Sequence, residues 1–114
     1  SERVNFNQIN DKKEHFIKSD NWNIVINLDS RQVSINNNEV DFTTTEFELL
    51  KCLMENAGIV QSRDSLMNKV KGIDFESFDR SIDVFISKVR QKIGDSKGEI
   101  IKTVRGIGYI FVSL

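Results

Sequence analysis

One cysteine, one histidine and no long apolar run are all this 114-residue chain offers to disulfide, metal, catalytic or membrane chemistry. Cys52 has no internal partner for a disulfide, and it lies within an apolar helical pattern. A buried, inert thiol is therefore expected, and with it a reducing, cytoplasmic compartment. His15 sits in a polar N-terminal segment with no second ligand or acid–base partner nearby in sequence, so it reads as a surface residue. No apolar stretch approaches the ~20 residues needed to span a bilayer, and no charged-then-apolar signal opens the chain. Without a metal-ligand cluster or a phosphate-cradling loop, neither an enzyme nor a cofactor is expected.

What is present describes an ordinary soluble globular domain, 39% hydrophobic and 29% charged. The length suits one domain with a modest core. Net charge is only −1, but its distribution is uneven. Residues 80–105 carry seven basic side chains against three acidic ones, a balance of +4 that leaves −5 for the rest. Positive charge is therefore gathered in the C-terminal third, where an anionic partner would be sought.

Residues 1–20 are polar and aperiodic and are expected to be a linker or frayed terminus, as at the start of a fragment of something longer. Trp22–Leu28 alternates apolar and polar positions, as do Gln32–Ile35 and then Glu39–Phe42, which predicts a small antiparallel meander turned by Asn36-Asn37-Asn38. Thr43 and Glu46 have capping-box spacing, and Phe42 with Phe47 has that of a hydrophobic staple. A helix follows, its stripe made by Phe47, Leu50, Met54 and Ala57, with Gly58 as the residue after its cap. Ile59-Val60 reads as a brief extended piece, and Ser62 caps a shorter helix running to about Val70.

The third helix carries the functional argument. Ile82, Ile86, Val89 and Ile93 fall on one side, while Arg80, Ser81, Val84, Ser87, Lys88 and Gln91 collect on the other. Any surface helix has a polar outer face, so this pattern alone fits a bland amphipathic helix. Two strands come next, Ile100–Val104 and Tyr109–Val112, joined through Arg105-Gly106-Ile107-Gly108, whose two glycines can supply the positive φ of a tight hairpin. Three helices followed by a hairpin is the order of a winged helix, and it sets Lys102, Thr103 and Arg105 beside the basic helix.

At these residues the chain resembles the DNA-binding effector domain of OmpR/PhoB-type response regulators. The resemblance is carried by Thr45-Glu46-Phe47-Glu48-Leu49-Leu50, Ser62-Arg63-Asp64-Ser65-Leu66, Arg80-Ser81-Ile82-Asp83-Val84, Ile86–Ile93 and Lys102–Tyr109, in register from about residue 22 to 112. It implies an α+β winged helix-turn-helix over residues 21–114, with an N-terminal antiparallel sheet, a three-helix core and a C-terminal hairpin wing. It also implies a receiver domain, absent from this sequence, that takes a phosphoryl group from a sensor histidine kinase. Tandem homodimers on direct-repeat double-stranded DNA are implied as well, with RNA polymerase facing the loop Lys71 to Phe78.

The resemblance assigns DNA contacts to Ser81, Val84, Phe85, Ser87, Lys88 and Arg90 of the recognition helix, and to Thr103 and Arg105 of the wing. Val84 suits a thymine methyl and Lys88 reaches guanine O6/N7 or a phosphate. Ser81, Ser87 and Arg90 fit phosphates, and Arg105 fits a narrow minor groove or the backbone. Alternatives stand beside these. Phe85 replaces a frequent histidine and could instead pack on the core or a sugar, and Lys71-Gly72 replaces a common Trp-Gly. Arg80 could pair with Asp83 or Glu76, and Arg90 could be a structural cation near Asp83 or the helix end. Asp83 is expected to be an internal partner, and Lys92 and Lys97 to be solvated charges. The competing function is a winged helix used mainly for protein contacts.

Overall fold

The computed structural model describes residues 15–70 and 82–113. Most of the expected linker, the loop Lys71 to Phe78, Arg80 and Ser81 lie outside the described residues.

Alternating apolar positions build the first layer. β1 (Phe16–Ser19), β2 (Ile24–Asn27), β3 (Gln32–Ile35) and β4 (Asn38–Val40) form an antiparallel sheet in that order. Its register places Ile24 opposite Ile35 and Ile26 opposite Val33, so one face is continuously apolar and buried. Asn36 and Asn37 take positive φ in the β3–β4 turn, as asparagine allows. β1 corrects the expectation of a linker as far as residue 20. Only Ile17 points an apolar side chain toward Ile26, so no alternation marks the strand in sequence. Pairing with β2 makes it, extended by Leu28 N–H donating to the His15 carbonyl at 2.8 Å. His15 is exposed, but it has a partner: its Nδ1 lies 2.7 and 2.8 Å from the two Asp29 carboxylate oxygens.

α1 (Thr44–Glu55) starts as its sequence dictates. The Thr43 hydroxyl accepts from Glu46 N–H at 3.2 Å, and Glu46 Oε1 accepts from Thr43 N–H at 3.0 Å. The helix ends at an Asn56 cap, earlier than Gly58, because the Asn56 side chain donates to the Cys52 carbonyl at 2.8 Å. Cys52 is buried, and that burial raises its thiol pKa, in keeping with an inert side chain.

β5 (Gln61–Ser62) then leads into α2 (Arg63–Val70), whose first turn is capped by the Ser62 hydroxyl accepting from Ser65 N–H at 3.0 Å. α3 (Ile82–Ile93), β6 (Ile101–Val104) and β7 (Gly108–Phe111) complete the chain. The pairing strand is Gln61–Ser62 rather than Ile59-Val60, and it joins a second antiparallel sheet in the order β5-β7-β6.

α1 packs against both α2 and α3, with Leu49, Leu50, Leu53, Leu66, Ile86 and Val89 fully buried between them. Each such side chain contributes about 1.5–3 kcal/mol, against about 0–1 kcal/mol for an exposed ion pair, so this cluster dominates the stability. Trp22 Nε1–H donates to the Val112 carbonyl at 2.8 Å and ties the first sheet to the C-terminal strand. Lys92 is not the solvated charge expected of it. Its Nζ lies 2.5 Å from Oε1 of buried Glu46 and 5.3 Å from the centre of the Phe42 ring. Burial alone would raise the Glu46 pKa, but Lys92 and the Thr43 amide outweigh it and hold the carboxyl below its ordinary value.

Candidate nucleic-acid interface

The helical spacing read from the sequence divides α3 as expected on its inner side: Ile82, Ile86, Val89 and Ile93 are buried. Phe85 joins them at 9% exposure, which favours packing on the core over a direct contact with nucleic acid. Its position was legible, since Phe85 stands three residues after Ile82 and four before Val89. The outer side presents Val84, 40% exposed, with Ser87, Lys88 and Gln91 also exposed. An exposed valine between polar neighbours is a poor surface residue for stability alone, but it is the right size for a thymine methyl.

Arg90 sits at the edge of that face and its hydrogen bonds turn it toward the wing. Its Nε and Nη2 donate to the Ile101 carbonyl at 3.0 and 2.6 Å, and Nη2 donates to the Thr103 hydroxyl at 2.9 Å. Asp95 Oδ2 lies 3.9 Å from Nε. The alternative of a structural cation near the helix end therefore fits Arg90 better than a free phosphate contact does. Thr103 is exposed beside it, and Arg105 is exposed on the turn between β6 and β7. There the Val104 carbonyl accepts from Ile107 N–H at 2.9 Å, and Gly106 takes a φ of 76°. Gly108 does not take positive φ; its lack of a side chain serves the β5–β7 contact instead.

Asp83, the acid on the basic helix, is an internal partner as expected, but its described partners are Arg63 and Tyr109. Arg63 Nε donates to Asp83 Oδ1 at 3.0 Å, and the Tyr109 hydroxyl donates to the same oxygen. The Tyr109 hydrogen bond and then the Arg63 guanidinium hold the Asp83 carboxyl below its ordinary value, against the opposing effect of burial. Burial first, and then Asp83, push the Tyr109 hydroxyl up. Arg63 and Arg90 also lie over the Tyr109 ring, 5.2 and 5.5 Å from its centre. One tyrosine thus links α2, α3 and β7, fixing the helix against the wing. Tyr109→Phe is expected to cost about 1 kcal/mol of stability. Denaturant titration checks this, and unchanged stability would remove the linking role.

Among the described residues no group of His, Cys, Asp and Glu could hold a metal ion, and no helix is long and apolar enough to cross a membrane.

Comparison with known proteins agrees with this geometry. The family model described as "Transcriptional regulatory protein, C terminal" matches residues 37–111. The transcriptional regulatory protein RstA of Escherichia coli is 42% identical over 84 residues, covering 72% of this chain and 35% of RstA. The chain thus spans about a third of the length of that relative. Among solved structures, the C-terminal effector domain of BfmR from Acinetobacter baumannii superposes with a TM-score of 0.72 at 44% identity. That match covers 86% of this chain and 90% of the BfmR domain. The RstA DNA-binding domain of Klebsiella pneumoniae, solved in complex with the RstA box, gives 0.68 at 37% identity, with 78% and 90% covered.

Proposed function

The chain belongs to the OmpR/PhoB family of response-regulator DNA-binding domains, and on that premise we propose that it binds double-stranded DNA sequence-specifically to control transcription. α3 enters the major groove. Val84 meets a thymine methyl, Lys88 reads guanine or holds a phosphate, and Ser81 and Ser87 set the register on the backbone. Arg105 reaches the minor groove or the flanking backbone, with Thr103 beside it. Phe85 acts from the core, and Arg90 positions the wing relative to the helix. The observation that carries this reading is the shared exposure of Val84, Ser87 and Lys88 on the helix next to that of Arg105 on the wing. The complex of the related RstA domain with the RstA box supports it.

The wider reading of the whole protein rests on the family. A receiver domain, phosphorylated by a sensor histidine kinase, governs pairing of two effector domains on direct repeats in the cytoplasm. RNA polymerase meets the loop Lys71 to Phe78.

Selection of bound duplexes from a random pool tests the proposal. A shared motif, repeated about one helical turn apart, is expected. Lys88→Ala should weaken binding to the selected duplex by about 1–3 kcal/mol and relax preference at one base pair. No enrichment at low salt would sink specific readout and leave the protein-contact module.

A further inference from the structure

The basic side chains of the C-terminal third are not equivalent. Arg90 and Lys92 are committed to Ile101, Thr103 and Glu46. Lys88, Lys97, Lys102 and Arg105 form no ion pair among the described residues. Two of these, Lys97 and Lys102, lie together on a cleft of about 390 Å³ between the turn after α3 and the first strand of the wing. Arg90 and Thr103 line the same cleft, with the hydroxyl of Ser96. Gly98 adds no side chain there: a Cβ at that position would stand 3.5 Å from the Arg90 guanidinium.

This cleft continues the candidate interface. A first depression on the outer face of α3 is lined by Asp83, Val84, Ser87, Lys88 and Gln91. A second shares Ser87 and Gln91 with it and extends to Arg90 and Ser96. Those two residues also line the lysine cleft, so one open track runs from the exposed helix face to Lys97 and Lys102. Three acids lie along it or nearby. Asp83 is held by Arg63 and Tyr109. Asp95 directs both carboxylate oxygens at the backbone N–H groups of Glu99, Ile100 and Ile101, which leaves Glu99 as the exposed acid without an ion-pair partner among the described residues. Two uncommitted lysines, two hydroxyls and a tethered guanidinium around an open cleft suit a phosphate diester.

We infer that Lys97 and Lys102 form a backbone-phosphate clamp, a third point of DNA attachment beside the recognition helix and the Arg105 wing tip. The inference rests on the DNA-binding reading. It assigns the clamp to affinity and not to sequence choice, because phosphate oxygens carry no base identity. A surface charge on Lys97 then has a use that its place in a turn does not reveal.

The test is the salt dependence of binding by the whole chain carrying Lys97→Gln and Lys102→Gln together, with Lys18→Gln as control. Removing one lysine–phosphate pairing should reduce the slope of log affinity against log salt by about 0.9, so the double substitution should reduce it by about 1.8. Affinity should fall by the same factor for the selected duplex and for unrelated DNA, leaving the specificity ratio unchanged. The control should keep the full slope, and thermal melting should confirm that all variants fold. An unchanged slope, or a loss confined to the selected sequence, would overturn the clamp while leaving specific binding by the unsubstituted chain intact. If the unsubstituted chain shows no salt-dependent binding, the DNA reading itself fails, and the clamp with it.

Discussion

Asp95→Ala should cost this domain about 4 kcal/mol of stability, more than any other exchange of a polar side chain among the described residues. The Asp95 carboxylate accepts three backbone hydrogen bonds, from Glu99 N–H at 2.7 Å, Ile100 N–H at 3.1 Å and Ile101 N–H at 2.9 Å. It is buried, as are Ile100 and Ile101, so water cannot replace what is removed. Hydrogen bonds to a charged acceptor contribute about 1.5–3 kcal/mol each, and buried N–H groups left without a partner cost about as much. The three are not independent, which keeps the total below their sum. Asp95 also stands 3.9 Å from Arg90 Nε, so its loss removes the ion-pair partner of the guanidinium that ties α3 to β6. Asp95→Asn keeps one accepting oxygen but turns an N–H₂ toward a donor, and should lose roughly half as much. Urea titration measures both. A loss below about 1 kcal/mol for Asp95→Ala would show that the carboxylate is not what starts β6.

Gly108→Ala should be nearly as damaging, through space rather than backbone angle. A Cβ at Gly108 would stand 2.0 Å from the Gln61 carbonyl oxygen and 2.9 Å from Ser62 Cα. The obstacle is backbone and cannot rotate away, so β5 must separate from β7. Overpacking of this kind costs about 1–3 kcal/mol, and the upper end applies where the clash is with main chain. Because β5 leads directly into α2, the displacement should also shift the wing and cut DNA affinity at least several-fold. Gly106→Ala is the matched comparison. Its φ of 76° is unfavourable to alanine, but nothing lies within 4 Å of the added carbon. It should cost about 1 kcal/mol and spare the sheet. Equal effects at the two glycines would contradict the packing argument.

The two glycines also mark where sequence reading reached its range. A hairpin between Val104 and Tyr109 was legible because Arg-Gly-Ile-Gly offers a turn and alternating strands flank it. That only the first glycine bends the chain was not, because the second answers to Gln61, far away in sequence. β1 was missed for a related reason: Phe16–Ser19 has one inward apolar residue and depends on its partner strand. Phe85 was placed among the DNA contacts by resemblance, although its spacing within α3 points to the burial the structure shows.

Sequence alone determined the elements whose causes lie within a turn or two of chain. The Thr43–Glu46 capping box, the buried stripe of α3 and the gathering of positive charge toward the C-terminus all depend on neighbours a few residues apart. Only the tertiary structure decided which charges are spent. Lys92 goes to Glu46, Arg63 to Asp83 and Arg90 to the wing, across 46, 20 and 11 residues of chain. Such pairings depend on how helices and strands dock, which periodicity does not encode. Among the described residues of the C-terminal third they leave Lys88, Lys97, Lys102 and Arg105 without an ion pair, and so with charge to offer the proposed DNA partner.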